Sequence, residues 1–325
     1  MKILGLGNAL ADVIIRLTNE DTIKNLNLPK GSMQLIQSDD IPRINEIIKL
    51  MPIEMISGGS AANTIHGLAR LGVDCGYIGK IGCDDVGNFY ETDLKKAGVD
   101  SVLFRSQTDT GRAFTFITPD GERTFATYLG AAIELQPEDI IPDLFKSYNH
   151  LHIEGYLVSN ALLIEKALLL AKKLNLKISL DLSSYNVVEA NLTFLKKIIP
   201  EFVDILFANE EESKAYTGKN PREALEEIAE KSDIAVVKIG KEGALIKDGK
   251  KTFKVNAFPS KVLDTTGAGD QFAAGFLYGL SQNLDLEKCG KLGALLAGKV
   301  IENYGARIPE ILWPLIFEKL DTIKN

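Results

Sequence analysis

Short apolar runs alternate with amphipathic segments along most of this chain, and that alternation restricts its fold more than any other feature. Residues 2–6, 75–78, 150–153, 177–181, 205–207 and 234–239 read as strands. Residues 60–71, 160–174 and 221–231 carry a helical period instead, with Ala61, Ala62, Ile65, Leu68 and Ala69 on one face of the first. The third helix has a clear start: Asn220 as N-cap, Pro221 at the first helical position and Glu223 at the third. Strands separated by helices of this length require right-handed crossovers and a mostly parallel sheet covered on both faces, an α/β fold.

Two regions break the pattern. Residues 12–17 and 33–36 look like strands with no helix of ordinary length between them, and 112–118 and 123–128 flank the turn sequence Pro119-Asp120-Gly121-Glu122. These pieces can pair into a small sheet outside the main one, hinged as a lid. The expected division is a large domain of residues 1–10, 50–108 and 132–325, and a β-sheet lid of 109–131 with part of 11–49. A length of 325 residues accommodates a large α/β domain with such an appendage.

Composition excludes several classes. The net charge of -7 and a pI near 5.2 disfavour nucleic acid as a partner, because phosphate backbones need a basic face. Cys75, Cys83 and Cys289 are odd in number and have no CxxC spacing, so reduced thiols are expected rather than disulfides or structural zinc. No apolar run approaches the roughly 18 residues of a membrane span. The six residues before Gly7 are too few for a signal peptide, so no membrane association and a cytoplasmic location are expected.

Five clusters bear on chemistry. Gly5-Leu6-Gly7-Asn8-Ala9-Leu10 suggests a dinucleotide fingerprint, but Leu10 replaces the third glycine and a strand follows, which removes the helix end that would hold a pyrophosphate. Ser57-Gly58-Gly59-Ser60-Ala61-Ala62-Asn63 opens a helix with two glycines that permit close approach, either to a ligand or merely within a tight turn. Asp264-Thr265-Thr266-Gly267-Ala268-Gly269-Asp270 is the most specific. Small residues at 267–269 leave main-chain amides open at the start of a helix, an anion site. A carboxylate beside an anion site is electrostatically poor unless it works, and taking a proton from a hydroxyl that attacks a phosphoryl group is such work for Asp270. Asn209 and Glu212, three apart, suit water-mediated Mg²⁺ or simply the solvated start of a helix. Lys238-Ile239-Gly240-Lys241-Glu242-Gly243 is a glycine turn able to lie against a nucleotide. His66, His150 and His152 are expected to be structural.

With these motifs in this order, the chain resembles the PfkB, or ribokinase-like, carbohydrate kinase family, and within it the adenosine-kinase-like branch. The string at 264–277 matches the family's C-terminal signature, and Gly58 to Asn63, with Gly72 and Gly82, matches the N-terminal one; Ile65 departs from it. The resemblance implies a three-layer sandwich with a mostly parallel sheet and a small lid sheet. It implies an ATP- and Mg²⁺-dependent kinase acting on a primary hydroxyl. Asp270 becomes the general base, with Gly267, Ala268 and Gly269 as the anion hole. Asn8, Asp12, Gly58, Gly59 and Asn63 fall on substrate-holding positions; Lys238, Gly240 and Gly243 on the nucleotide loop; Asn209 and Glu212 on the motif that places Mg²⁺ through water. Asp264 and Thr266 fall on backbone positions that bind K⁺ in many members, and K⁺ dependence stays open.

The lid bears on the substrate. Phe114, Phe116 and Phe125 could stack on a purine or pack within the protein, while Arg112, Thr115 and Arg123 could serve a sugar, and Arg123 could hold a phosphate already on it. Nucleoside and sugar both remain. An exposed lid edge invites a homodimer. The alternative to a kinase is a catalytically silent binding or regulatory protein on the same fold, against which the intact Asp270, 267–269 and Asn209/Glu212 argue.

Overall fold

The computed structural model describes residues 1–324. The main sheet contains β1 (Lys2–Leu6), β5 (Asp74–Gly82), β6 (Asp100–Ser106), β9 (His150–Glu154), β10 (Lys177–Asp181), β11 (Ile205–Asn209), β12 (Ile234–Lys238), β13 (Ala244–Lys247) and β14 (Thr252–Val255). Its order is β14-β13-β12-β11-β10-β9-β1-β5-β6, parallel from β12 to β6, with β13 and β14 added antiparallel. Strands buried on both faces need near-continuous apolar runs, and β9 is buried along its whole length.

Helices cover both faces. One layer holds α3 (Ser60–Arg70), α4 (Asp85–Lys96), α10 (Ala268–Ser281), α11 (Leu286–Val300) and α12 (Trp313–Lys324). The other holds α5 (Ala161–Lys173), α6 (Tyr185–Ala190), α7 (Leu192–Phe202), α8 (Glu210–Thr217) and α9 (Pro221–Ala229). Asn220 caps α9 as its spacing predicts, accepting from the Arg222 and Glu223 amides. Among the described residues no helix is long and apolar enough to cross a membrane.

A second sheet forms the lid: β3 (Met33–Leu35), β8 (Arg123–Tyr128), β7 (Gly111–Ile117), β2 (Leu10–Arg16) and β4 (Ile53–Gly58), in that order. The strand β4 corrects the division expected from sequence, which left residues 53–58 in the large domain. It pairs antiparallel with β2 from Gly58↔Leu10 to Ile53↔Ile15. Its position directly before a glycine turn and a helix mimics a strand of the main sheet.

Register sorts the lid's side chains. Val13, Ile15, Phe114 and Phe116 share one face and are buried there against Ile23 of α1 (Asp21–Asn25) and Ile44 and Ile48 of α2 (Ile41–Ile48). Asp12, Ile14, Ala113, Thr115, Phe125, Met33 and Leu35 fall on the opposite face. That face meets the large domain: the position of a Cβ on Gly305 lies 2.7 Å from Ile14 Cδ1.

Candidate active site

Glu154, Asp181, Asn209 and Lys238 are the last residues of β9, β10, β11 and β12, four neighbours in the sheet. The C-terminal edge of a parallel sheet is where such folds bind ligands, and here it carries a row of polar side chains. Asp181 Oδ2 accepts from Lys238 Nζ at 2.8 Å. Asn209 and Glu212 close a reciprocal cap on α8: the Asn209 amide donates to Glu212 Oε2 at 2.8 Å, and the Glu212 amide to Asn209 Oδ1 at 2.9 Å. Burial raises the Glu212 carboxyl to about 7, opposed by Lys238 and reinforced by Asp181. Neither Glu154 nor Asp181 was foreseen from sequence; the available signal was an acid ending an interior apolar run.

Helix α10 begins behind this row. Gly267 is left-handed (φ 73°), and a Cβ there would fall 2.6 Å from Ala306 Cα. Among the described residues the amides of Gly267, Gly269 and Asp270 meet no protein acceptor. Ala268 departs from expectation: its amide donates to the Thr265 carbonyl at 3.2 Å, closing the turn that sets the helix entry angle. Asp270 accepts from Ser60 Oγ at 2.7 Å and Asn63 Nδ2 at 3.0 Å. Burial raises its carboxyl to about 6 against those two hydrogen bonds. Such a group is ionised near neutrality yet basic enough to take a proton.

The residues expected on the substrate side converge from four segments. Glu154 fixes the turn of Asn8: Oε1 accepts from Asn8 N and Asn8 Nδ2, both at 2.9 Å, and Oε2 accepts from Ala61 N at 2.9 Å. This commits the Asn8 amino group to the protein and leaves its carbonyl oxygen. Gly59 is obligatory, and Gly58 keeps room for Asp12. A Cβ on Gly58 would lie 2.4 Å from the Asp12 carboxylate, and one on Gly59 (φ 96°) would lie 2.2 Å from Asn8 O. Asp12 is half-buried and has no hydrogen-bond donor among the described residues. Burial raises it to about 7, partly offset by Arg307.

Arg307, which the sequence reading does not single out, is central to this network. Its guanidinium donates to Ser57 O, to Ser57 Oγ (2.7 Å) and to Asn63 Oδ1 (3.4 Å), with Asp93 of α4 at 3.8 Å. Arg123, a candidate to serve a sugar or to hold a phosphate already on the substrate, is engaged by the protein. From the lid it pairs with Asp264 and Thr266 and reaches Thr265 Oγ1 at 3.2 Å. Asp264 also accepts from the Thr266 and Gly305 amides. Phe114 and Phe116, candidates for stacking, are buried on the far side of the lid, so among the three lid phenylalanines Phe125 alone faces the large domain.

In the loop after β12, where the resemblance places the nucleotide, Gly243 (φ 98°) could bear no side chain, since a Cβ would lie 1.9 Å from Val255 O. A cavity of about 290 Å³ opens beside this loop, lined by Asn220, Arg222, Ile239, Glu242 and Leu245. A larger one, about 640 Å³, lies at the opposite edge of the sheet around Asp204 and Asp233, away from every residue named above.

Residues 31–312 match the pfkB family carbohydrate kinase model. An uncharacterized sugar kinase of Archaeoglobus fulgidus is 33% identical over 243 residues, which cover 74% of this chain and 96% of that protein. A 5-dehydro-2-deoxygluconokinase of Bacillus subtilis is 32% identical over 266 residues, 77% and 82% of the two chains. Among solved structures, a probable sugar kinase from Rhizobium etli superposes with a TM-score of 0.87 at 35% identity, and an adenosine kinase from Sinorhizobium meliloti with 0.86 at 34%, each covering 98% of both chains. The ribokinase-like architecture expected from the motifs is the one observed.

Proposed function

The chain belongs to the pfkB family of carbohydrate kinases, and from that premise we propose that it transfers the γ-phosphoryl group of ATP to the primary hydroxyl of a neutral nucleoside. The observation that carries this reading is the lid's inner face. Met33 and Leu35 are 58% and 61% exposed there, beside Phe125 and across the sheet from Asp12. Such a face suits a flat heterocycle, with Asp12 accepting from ribose hydroxyls. Tyr156, in the turn after β9, adds an exposed ring beyond the end of that strand, its hydroxyl donating to Ser183 O at 3.4 Å.

Charge supports the same choice. Arg112, Arg123 and Arg307 are all engaged by acids of the protein, while Asp12 stands free. A gluconate derivative, as the Bacillus relative's name denotes, would bring a carboxylate to an acidic wall. A neutral sugar is the second reading, favoured by Thr115 and Thr127 on the inner face.

In the proposed step the acceptor oxygen bonds to the γ-phosphorus as the bridge to the β-phosphate breaks. ADP departs with that electron pair, and the hydroxyl proton passes to Asp270. The amides of Gly267 and Gly269 bind the charge that develops on the phosphoryl oxygens. Glu212, Asn209 and Asp181 fit Mg²⁺ held through water: they are oxygen donors at one edge, and no cluster of three direct ligands exists among the described residues. When bound, Mg²⁺ would neutralise phosphate charge. The carbonyls of Asp264 and Thr266 accept no hydrogen bond among the described residues and fit a monovalent cation. The test is ADP release with adenosine, inosine, ribose, fructose and gluconate. Adenosine or inosine should exceed every sugar in kcat/KM by at least about tenfold, a difference of about 1.4 kcal/mol. Preference for gluconate would overturn the reading.

A further inference from the structure

We propose that Lys238 is a catalytic cation, an ammonium fixed at the anion cradle to contact the phosphoryl group in transfer. The proposal rests on the kinase reading above and adds a group to it. The apolar strand β12 ends on this one charged residue, and its side chain runs back along the edge of the sheet rather than out to the nucleotide loop that follows. Its Nζ lies 3.0 Å from where a Cβ on Gly269 would stand. Gly269 is therefore the reason the ammonium can reach the first turn of α10, and any side chain there would displace it.

The surroundings hold the charge in place. Asp181, itself buried, fixes Nζ at 2.8 Å. An ammonium held at this distance by a buried carboxylate makes a charge-assisted hydrogen bond, which favours the protonated lysine. One bond to Asp181 leaves two of the three ammonium hydrogens, and no other acceptor takes them among the described residues. A permanent cation with unused donors, beside amides that also lack acceptors, forms a composite site for a tetrahedral anion. Fixed charge of this kind needs no reorganisation as negative charge grows on the equatorial oxygens. The lysine gains no proton and loses none; Asp270 receives the hydroxyl proton and ADP leaves as before.

A purely structural ion pair with Asp181 is the competing account, and the two differ experimentally. Lys238→Met should lower kcat about a hundredfold. Lys238→Arg, which keeps a cation that can reach Asp181, should recover part of the lost kcat, and KM for the acceptor should stay unchanged in both variants. A kcat for Lys238→Met within a few fold of the wild type would overturn the proposal. A second measurement needs no acceptor substrate: inorganic phosphate at tens of millimolar should raise the melting temperature of the wild type and of Asp12→Asn, but not of Lys238→Met. Equal protection of Lys238→Met, or none of the wild type, would also overturn it. If no nucleoside or sugar is phosphorylated but phosphate protection still depends on Lys238, the kinase reading falls and the anion site stands.

Discussion

Arg123 of the lid and Asp264 of the large domain form an ion pair directly before the helix that opens with Gly267. The same carboxylate accepts from the Thr266 and Gly305 amides, so the lid contact and the turn before α10 share one buried group.

Removing the lid's half of that pair should therefore uncouple closure from chemistry. Arg123→Ala is expected to raise KM for the acceptor and increase ADP release without acceptor, because water enters an open site. Folding stability should drop by about 1–3 kcal/mol, since a buried carboxylate loses one donor and keeps two. Steady-state kinetics with and without nucleoside reads the first effect, and urea unfolding the second. An unchanged ratio of ADP released to nucleoside phosphate formed would remove the latch.

Asp270→Asn keeps the shape of the side chain and removes the base. Turnover should fall by two to four orders of magnitude, within the usual range for a lost general base. Circular dichroism should remain that of the wild type, because an asparagine can still accept from Ser60 or Asn63. A purified variant retaining a tenth of wild-type kcat would sink the assignment.

The acid limb of the kcat/KM profile should fall between about pH 7 and 6, where burial has placed Asp12 and Asp270. Stability moves oppositely for these groups. Each binds its proton more tightly folded than unfolded, so its contribution is favourable at low pH and is lost as pH rises from about 4 to about 7. Buried neutral His150 and His152, pulled down to about 3 and 4 by burial, oppose this trend below about pH 6.5. The informative quantity is a difference. The melting temperature of Asp12→Asn relative to wild type should climb as pH rises from 5 to 8 (about three units). A flat difference would mean that Asp12 is not buried as a charge.

Arg307→Gln tests how the site is oriented. Arg307 donates to Asn63 Oδ1, which turns Asn63 Nδ2 toward Asp270, and its charge also favours ionised Asp12. Its loss should lower kcat and move the acid limb upward in pH. A fall in stability with an unmoved pH profile would reduce Arg307 to a structural clamp for Ser57.

Much of this was legible in the residues. The segment 264–270 announces a helix start with an acid in its first turn because three small residues precede Asp270, a pattern that is local in sequence. Gly58 and Gly59 are equally local, although the reason each is glycine lies in Asp12 and Asn8, distant along the chain. Glu154 and Asp181 were missed because each is a lone acid in an apolar strand, and only the sheet aligns them with Lys238. The lid's alternation showed that Phe114 and Phe116 share a face, but which face meets the substrate depends on where α1 and α2 pack. Arg307 carries no local signal at all; its partners lie 214 to 250 positions earlier, and folding alone brings them to it.

The packing of α1 and α2 behind the lid has one more consequence. In a kinase whose cover is bare on its outer side, a neighbouring molecule must shield it, and catalysis falters as the solution is diluted. This cover brings its own backing, so its outer apolar face needs no second copy to bury it. Output per molecule should stay level however scarce the protein becomes.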